Sequence, residues 1–235
     1  MLNETFWRNY FRVYDSLNQI LPYRQLLLDI KKALELKYTD VVLDLGSGTG
    51  NLMMELKGEC KEIIGIDFSR EGINIHRKKD PLAKLIIADI TKPLPFGNNY
   101  FSKVVSNNVI YTLNKQQQVA LLLEAWRILI PGGKLVISNV KKDFSPGIIY
   151  KNHLLKSVKS KGFFNTLTTD FTLALANIKI LYFNKKIKEN GGQDNYHFLS
   201  ELDQADLLKL TGFIDISLGK DVYAGQAIMH SAYKI

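Results

Sequence analysis

The chain has 235 residues, 46% hydrophobic and 23% charged, a globular composition that excludes wholesale disorder and allows one large domain. It holds a single cysteine, Cys60, which excludes an intrachain disulfide framework and disfavours a Cys-based zinc site. The net charge of +8 is uneven: residues 141–190 carry ten lysines against Asp143, Asp170 and Glu189, or +7, so the basicity is regional.

In chain order, residues 4–36 read as helical. Phe6, Tyr10, Val13 and Leu17 recur on one helix face, Pro22 interrupts, and Tyr23–Leu36 resumes with Leu26, Ile30 and Leu34. The first residues lack a basic segment followed by an apolar one, and no apolar run reaches 18 residues. Neither a signal peptide nor a membrane span is expected; a cytoplasmic protein, soluble or peripheral, is. From residue 40 short apolar runs alternate with helix-like stretches: VVLDL (41–45), 51–58, EIIGID (62–67), 70–78, LIIAD (85–89), SKVVSN (102–107), 115–129 and GKLVISNV (133–140). Such alternation argues for βα units and a parallel sheet covered on both faces. Asp80-Pro81 and Pro131-Gly132-Gly133 read as breaks at helix ends.

Residues 141–197 break the rhythm. An aromatic and aliphatic run, Phe163–Phe183, lies among lysines and is followed by Asn190-Gly191-Gly192; the segment reads as a largely helical insert. A helix through 202–210 then precedes FIDISLG (213–219) and QAIMHSAY (226–233), which read as an antiparallel hairpin at a sheet edge. One domain is expected, with a helical cap (1–38), a core (39–140 and 198–235) and an inserted substrate or lid segment (141–197).

The strongest chemical signal is Asp44-Leu45-Gly46-Ser47-Gly48-Thr49-Gly50, after an apolar strand and before a helix. Alternate glycines let the backbone turn sharply and approach a ligand, and the helix N-terminus offers free N–H groups. The spacing is not the G-x-G-x-x-G of dinucleotide sites, which disfavours a nicotinamide oxidoreductase. Asp67 ends the second apolar run, placed at a pocket edge to accept from ribose hydroxyls. Asp89 ends the third, beside Ile90, suited to an adenine edge. Taken singly, each acid also fits a cap on the next helix.

As a set, VVLDLGSGTGNL (41–52), IIGIDFS (63–69), LIIADI (85–90), SNNVIYTL (106–113) and EAWRILIPGGKLVISN (124–139) resemble the class I S-adenosylmethionine-dependent methyltransferases. The resemblance implies an α/β, Rossmann-like seven-stranded sheet of order 3-2-1-4-5-7-6, strand 7 antiparallel, with helices on both faces. It implies S-adenosyl-L-methionine as cofactor. Asp44, Gly46, Gly48 and Gly50 would surround its methionine part. Asp67 would take the ribose diol, Phe68 would pack near the adenine, Asp89 and Ile90 would bind the adenine, and Asn107 would meet the methionine amine. A weaker resemblance links FRVYDSLNQIL (11–21) and DVYAGQAIMHSAYK (221–234) to ubiquinone/menaquinone C-methyltransferases, from which 106–111 and the insert depart.

Candidate bases are His153, His197, His230, Tyr111 and Tyr196, with Tyr111 and His197 preferred. Tyr14 is placed to close over the cofactor from the N-terminal helix. His76, among Arg77, Lys78 and Lys79, reads as surface, and Trp126 as core. The expected reaction is methyl transfer to a small, apolar or aromatic acceptor. Two alternatives stand beside it, an RNA methyltransferase and a catalytically silent cofactor-binding partner protein. Nucleic acid is disfavoured: the stretch after strand four lacks the Asn/Asp-Pro-Pro-aromatic element, and the basic segment has no arginine for bidentate base contacts. The lysines suit either a membrane surface or a solvated face.

Overall fold

The computed structural model describes residues 4–161 and 197–235, with residues 179, 182, 183, 185–187 and 189 between them. Apart from 179, 182 and 183, the Phe163–Phe183 run lies outside the described residues, as do Asn190-Gly191-Gly192 and Tyr196. Two helices, α1 (Glu4–Tyr14) and α2 (Leu21–Leu34), are joined by a 3-10 turn at Asp15–Gln19. Pro22 does not interrupt α2 but opens it, since a proline in the first turn removes an N–H that has no helical partner.

Strands β1 (Val41–Leu45), β2 (Glu62–Asp67), β3 (Lys84–Ile87) and β4 (Phe101–Asn107) alternate with α3 (Asn51–Leu56) and α4 (Arg70–Lys79). Then follow a 3-10 turn at Ile110–Thr112, α5 (Lys115–Ile128), β5 (Leu129–Val140) and α6 (Pro146–Lys161). The chain resumes with α7 (Glu201–Leu210), β6 (Phe213–Ile214), β7 (Lys220–Val222) and β8 (Ala227–Lys234). The sheet runs β3-β2-β1-β4-β5-β8-β6, with β7 also on β8. The ladders from β3 to β5 are parallel, and β8 is antiparallel to its neighbours.

Successive strand residues feed opposite layers. Val42, Val105 and Val136 pack with α1, α2 and α3, while Leu43, Val104, Leu135 and Ile137 pack with α5 and α7. This two-sided burial is why these strands read as continuous apolar runs. Both helices that open onto the second layer start from capping boxes, Asn114 with Gln117 and Ser200 with Asp203.

Several expectations are corrected or refined. Pro131-Gly132-Gly133 is not a turn at a helix end: it lies inside β5, where the register jumps from Phe101↔Leu129 to Lys103↔Lys134 and the extra residues bulge out. The terminal antiparallel pairing closes the sheet as expected, with β8 between β5 and the edge strand β6. The FIDISLG run is strand only at Phe213–Ile214; Asp215 takes a left-handed φ of 47° and ends it. The described sheet therefore has eight strands, β6 and β7 together standing where a sixth was expected. Trp126 is partly buried, packed against the core at its margin, donating to the Gly212 carbonyl at 3.1 Å, with Lys234 Nζ 4.2 Å from its ring centre.

Candidate active site

β1 delivers Asp44 to the carboxyl end of the sheet, almost fully buried. The loop that follows is pinned to β2, where Gly46 N–H and Ser47 N–H both donate to the Ile66 carbonyl, at 2.8 and 3.0 Å. Gly46, Gly48 and Gly50 all hold positive φ. Gly50 caps α3 at φ 79°, and the His76 ring fills the space a Cβ would take. His76 is thus fully buried, not on the surface. On α4 the stripe Gly72, Ile73 and His76 turns inward while Arg77 and Lys78 turn out. Neither ring nitrogen has a hydrogen-bond partner among the described residues. Burial, then the neighbouring Lys79 charge, pushes the imidazole down to about 4.

Asp67, at the end of β2, is also buried, at the cavity wall. Its Oδ2 accepts from Gly48 N–H and its Oδ1 from Ser69 N–H, both at 2.8 Å, so one carboxylate ties the glycine loop to the start of α4. Burial raises the Asp67 carboxyl to about 6, against those N–H bonds. Burial, then repulsion from Asp67, raises Asp44 to about 7. Asp89 lies two residues beyond β3, exposed, with Oδ1 taking the Thr91 N–H and hydroxyl.

These groups share one cavity of about 390 Å³. Tyr14, Asp44, Gly46, Gly48, Asp67, Phe68, Asp89, Ile90, Asn107 and Tyr111 line it; Gly50 and His197 do not. Its polar atoms are acceptors in excess. Asp44, Asp67 and Asp89 contribute carboxylates, and Ser47 Oγ, Asn107 Oδ1 and Asn108 Oδ1 are buried there without a partner among the described residues. No lysine, arginine or histidine lines it among the described residues. Such a wall fits a ligand rich in N–H and O–H donors and carrying positive charge, and repels a pyrophosphate. S-adenosylmethionine, with its ammonium, sulfonium, ribose diol and adenine amine, meets that description.

The rest of the cavity is aromatic. α1 and its following turn present Trp7, Tyr10, Phe11, Tyr14 and Leu17, a helical stripe one residue offset from the one the periodicity picked out. Phe11 lies where Gly48 leaves room, 3.0 Å from the site of a Cβ. Tyr23, Phe144, Ile149 and Tyr223 complete the wall. Nothing in their local sequence marks them; chain crossings bring them together. Tyr23 donates to the Tyr14 hydroxyl at 3.2 Å. Tyr223 occupies a turn of three left-handed residues, Tyr223, Ala224 and Gly225. Burial raises the Tyr10, Tyr14 and Tyr223 phenols and holds Tyr23 at about 12.

The candidate histidines lie elsewhere. His197 lines a neighbouring cavity with Lys141 and Asp143, and its backbone N–H donates to the Tyr111 carbonyl at 3.0 Å. His153 accepts the Leu21 N–H at the start of α2, and His230 meets Gln204 within the core. Tyr111 itself stacks on Phe198, centroids 5.0 Å apart.

The methyltransferase-domain family matches residues 43–137. The demethylmenaquinone methyltransferase of Corynebacterium urealyticum is 33% identical over 151 residues, 62% of this chain and 63% of that one. The enzyme of the same description from Renibacterium salmoninarum is 27% identical over 145 residues, 61% and 59% of the two chains. The chain thus spans less than two thirds of the length of these curated relatives. Among solved structures, a SAM-dependent methyltransferase from Aquifex aeolicus aligns with a TM-score of 0.60 at 16% identity, covering 100% of both chains. N-methyltransferase NodS from Bradyrhizobium japonicum, solved with S-adenosyl-L-homocysteine, aligns at 0.62 and 12% identity, covering 97% of this chain and 98% of that one. Residues 43–137 thus match the methyltransferase-domain family, and the chain shares the fold of these solved methyltransferases.

Proposed function

We propose that the chain transfers a methyl group from S-adenosylmethionine to a small apolar acceptor bearing ring oxygens. The observation that carries this is one cavity lined both by three carboxylates, with no cation among the described residues, and by five tyrosines. The bound cofactor supplies an electrophilic sulfonium methyl. Asp67 accepts from the ribose hydroxyls, Asp89 from the adenine amine, and Ile90 and Phe68 pack on the ring. Asp44, Asn107 and Asn108 face the cationic methionine end. Tyr14 closes the cavity from α1.

Tyr10, Tyr14, Tyr23, Tyr111 and Tyr223, which line the same cavity, surround the acceptor. Phenols with raised pKa stay neutral at pH 7 and donate hydrogen bonds to acceptor oxygens. The aromatic wall excludes water and holds the acceptor in line, which supplies much of the acceleration in a displacement of this kind. Tyr111 contacts the acceptor, and His197, whose backbone bonds to Tyr111, acts as a positioning residue. The demethylmenaquinone relatives support a quinol-type ring as the methyl acceptor.

Thermal melts test the first half. At a hundredfold excess over Kd, S-adenosylhomocysteine adds about 2.7 kcal/mol, a rise of roughly 5–10 °C for a chain of this size. Stabilisation by NAD with no response to the sulfur ligand refutes the reading. Labelled-methyl transfer to quinols, set against transfer to RNA, tests the second half.

A further inference from the structure

We propose that the outward face of α6 docks on an anionic lipid bilayer, bringing the aromatic wall of the cavity against the membrane. α6 is two-sided. Ile149, His153 and Ser157 are buried, and Ile149 lines the cavity. On the opposite side Ile148, Leu155 and Val158 stand 49%, 63% and 39% exposed. At 100° per residue, Ile148 and Leu155 point the same way within about 20°. Lys151, Lys156 and Lys159 flank them, all exposed and without an ion pair among the described residues. The helix itself contains no acid.

An apolar strip with lysines on both sides is the pattern of a helix that lies in the membrane interface: apolar tips enter between headgroups while the ammonium groups reach lipid phosphates and serine carboxylates. Among the described residues no helix is long and apolar enough to cross a membrane, so contact here is at the surface. Charge favours this occupant, because the +7 segment carries α6. The strip's apolar centre sets it apart from a purely electrostatic RNA face. The lysines further along are less suited. Lys185 and Lys186 both pair with Glu189, at 3.8 and 3.3 Å, and Lys188 lies outside the described residues.

Delivery of an apolar methyl acceptor from the bilayer rests on the methyl-transfer reading; docking does not, and it is measured without turnover. The full chain is sedimented with phosphatidylcholine vesicles with and without phosphatidylserine. Binding is expected only with phosphatidylserine, falling as salt shortens the Debye length from about 10 Å at 0.1 M to about 3 Å at 1 M. Lys151→Gln/Lys156→Gln/Lys159→Gln should lower partitioning about 100-fold, and Leu155→Ser about tenfold. The control Lys185→Gln/Lys186→Gln should change it by less than about threefold. Melting temperature and S-adenosylhomocysteine affinity should hold in every variant, which separates failed docking from failed folding or a failed cofactor site. The proposal is overturned by absent binding to anionic vesicles at low salt, by equal binding to neutral ones, or by indifference to Leu155→Ser. A dimer that Leu155→Ser dissolves would assign the face to a second copy and overturn it too.

Discussion

Asp44 and Asp67 hold protons that an unfolded chain would release. Their folded values, about 7 and about 6, lie above the unfolded carboxyl value near 3.9. Between about pH 4 and 7 the folded protein therefore binds more protons than the unfolded one. Stability without ligand falls as pH rises through that window and is level above it. A cationic ligand favours the ionised carboxylates, so S-adenosylmethionine binding should release protons between pH 6 and 7 and weaken as pH falls. Calorimetry in buffers of different ionisation enthalpy should detect that release, and Asp44→Asn should remove most of it. Release unchanged in the variant would place the proton elsewhere. Gly50 gives a second test. In Gly50→Ala the left-handed backbone costs about 1–2 kcal/mol and crowding against His76 about 1–3 kcal/mol. A urea double-mutant cycle with His76→Ala should show coupling of about 1–3 kcal/mol; additive losses would mean that the ring moves aside freely. Asp44, Asp67 and the glycines were legible in the sequence because strand, tight turn and helix follow one another locally. His76 was misread because its basic neighbours masked the inward stripe through Gly72 and Ile73.

At the scale of elements, the junction of α1 and α2 is latched to the core beneath it. Asp15 Oδ1 accepts from Thr49 Oγ1 at 2.6 Å and from Lys79 Nζ at 3.0 Å. Lys79 also reaches Asn51 Oδ1 at 2.8 Å, which accepts from Asn18 Nδ2 at the same distance. Further along, Arg12 meets Glu71 at 3.0 Å. One carboxylate therefore joins the 3-10 turn, the glycine loop and α4. Asp15→Ala should loosen α1 over the cavity by about 1–2 kcal/mol and speed S-adenosylhomocysteine release about 5–30-fold. Trp7, at the cavity wall, gives the stopped-flow signal; an unchanged release rate would mean that α1 does not gate the site. The sequence showed α1 as amphipathic but not which edge of its aromatic face meets the cavity. That choice depends on the 3-10 turn at Asp15–Gln19, which re-aims the chain and leaves no periodic signature.

For the whole molecule, the order of elements was readable from periodicity, whereas the closing of the sheet followed only from the family resemblance. Parallel βα units declare themselves through apolar runs with turns between them. The position of β8 between β5 and β6 carries no local signal, because it depends on pairing over long separation, and the split of the expected sixth strand into β6 and β7 was not announced by so short a strand as β6. The aromatic wall of the cavity has the same origin. Tyr10, Phe144 and Tyr223 come from distant parts of the chain and meet only when the sheet is complete.

The β5–β8 ladder has a bearing on synthesis. β8 pairs with seven residues of β5, Lys134 to Val140, yet it is made only after α6, α7, β6 and β7. At roughly 5–20 residues per second, the outer edge of β5 waits on the order of ten seconds for its partner. Its residues Leu135, Val136 and Ile137 are fully buried in the finished fold; on a nascent chain they form a bare, apolar strand edge, the kind that pairs with other chains. The interval before β8 arrives is thus the window in which this protein depends most on chaperones, and synthesis at low temperature, which weakens hydrophobic association, is the condition that favours its recovery in soluble form.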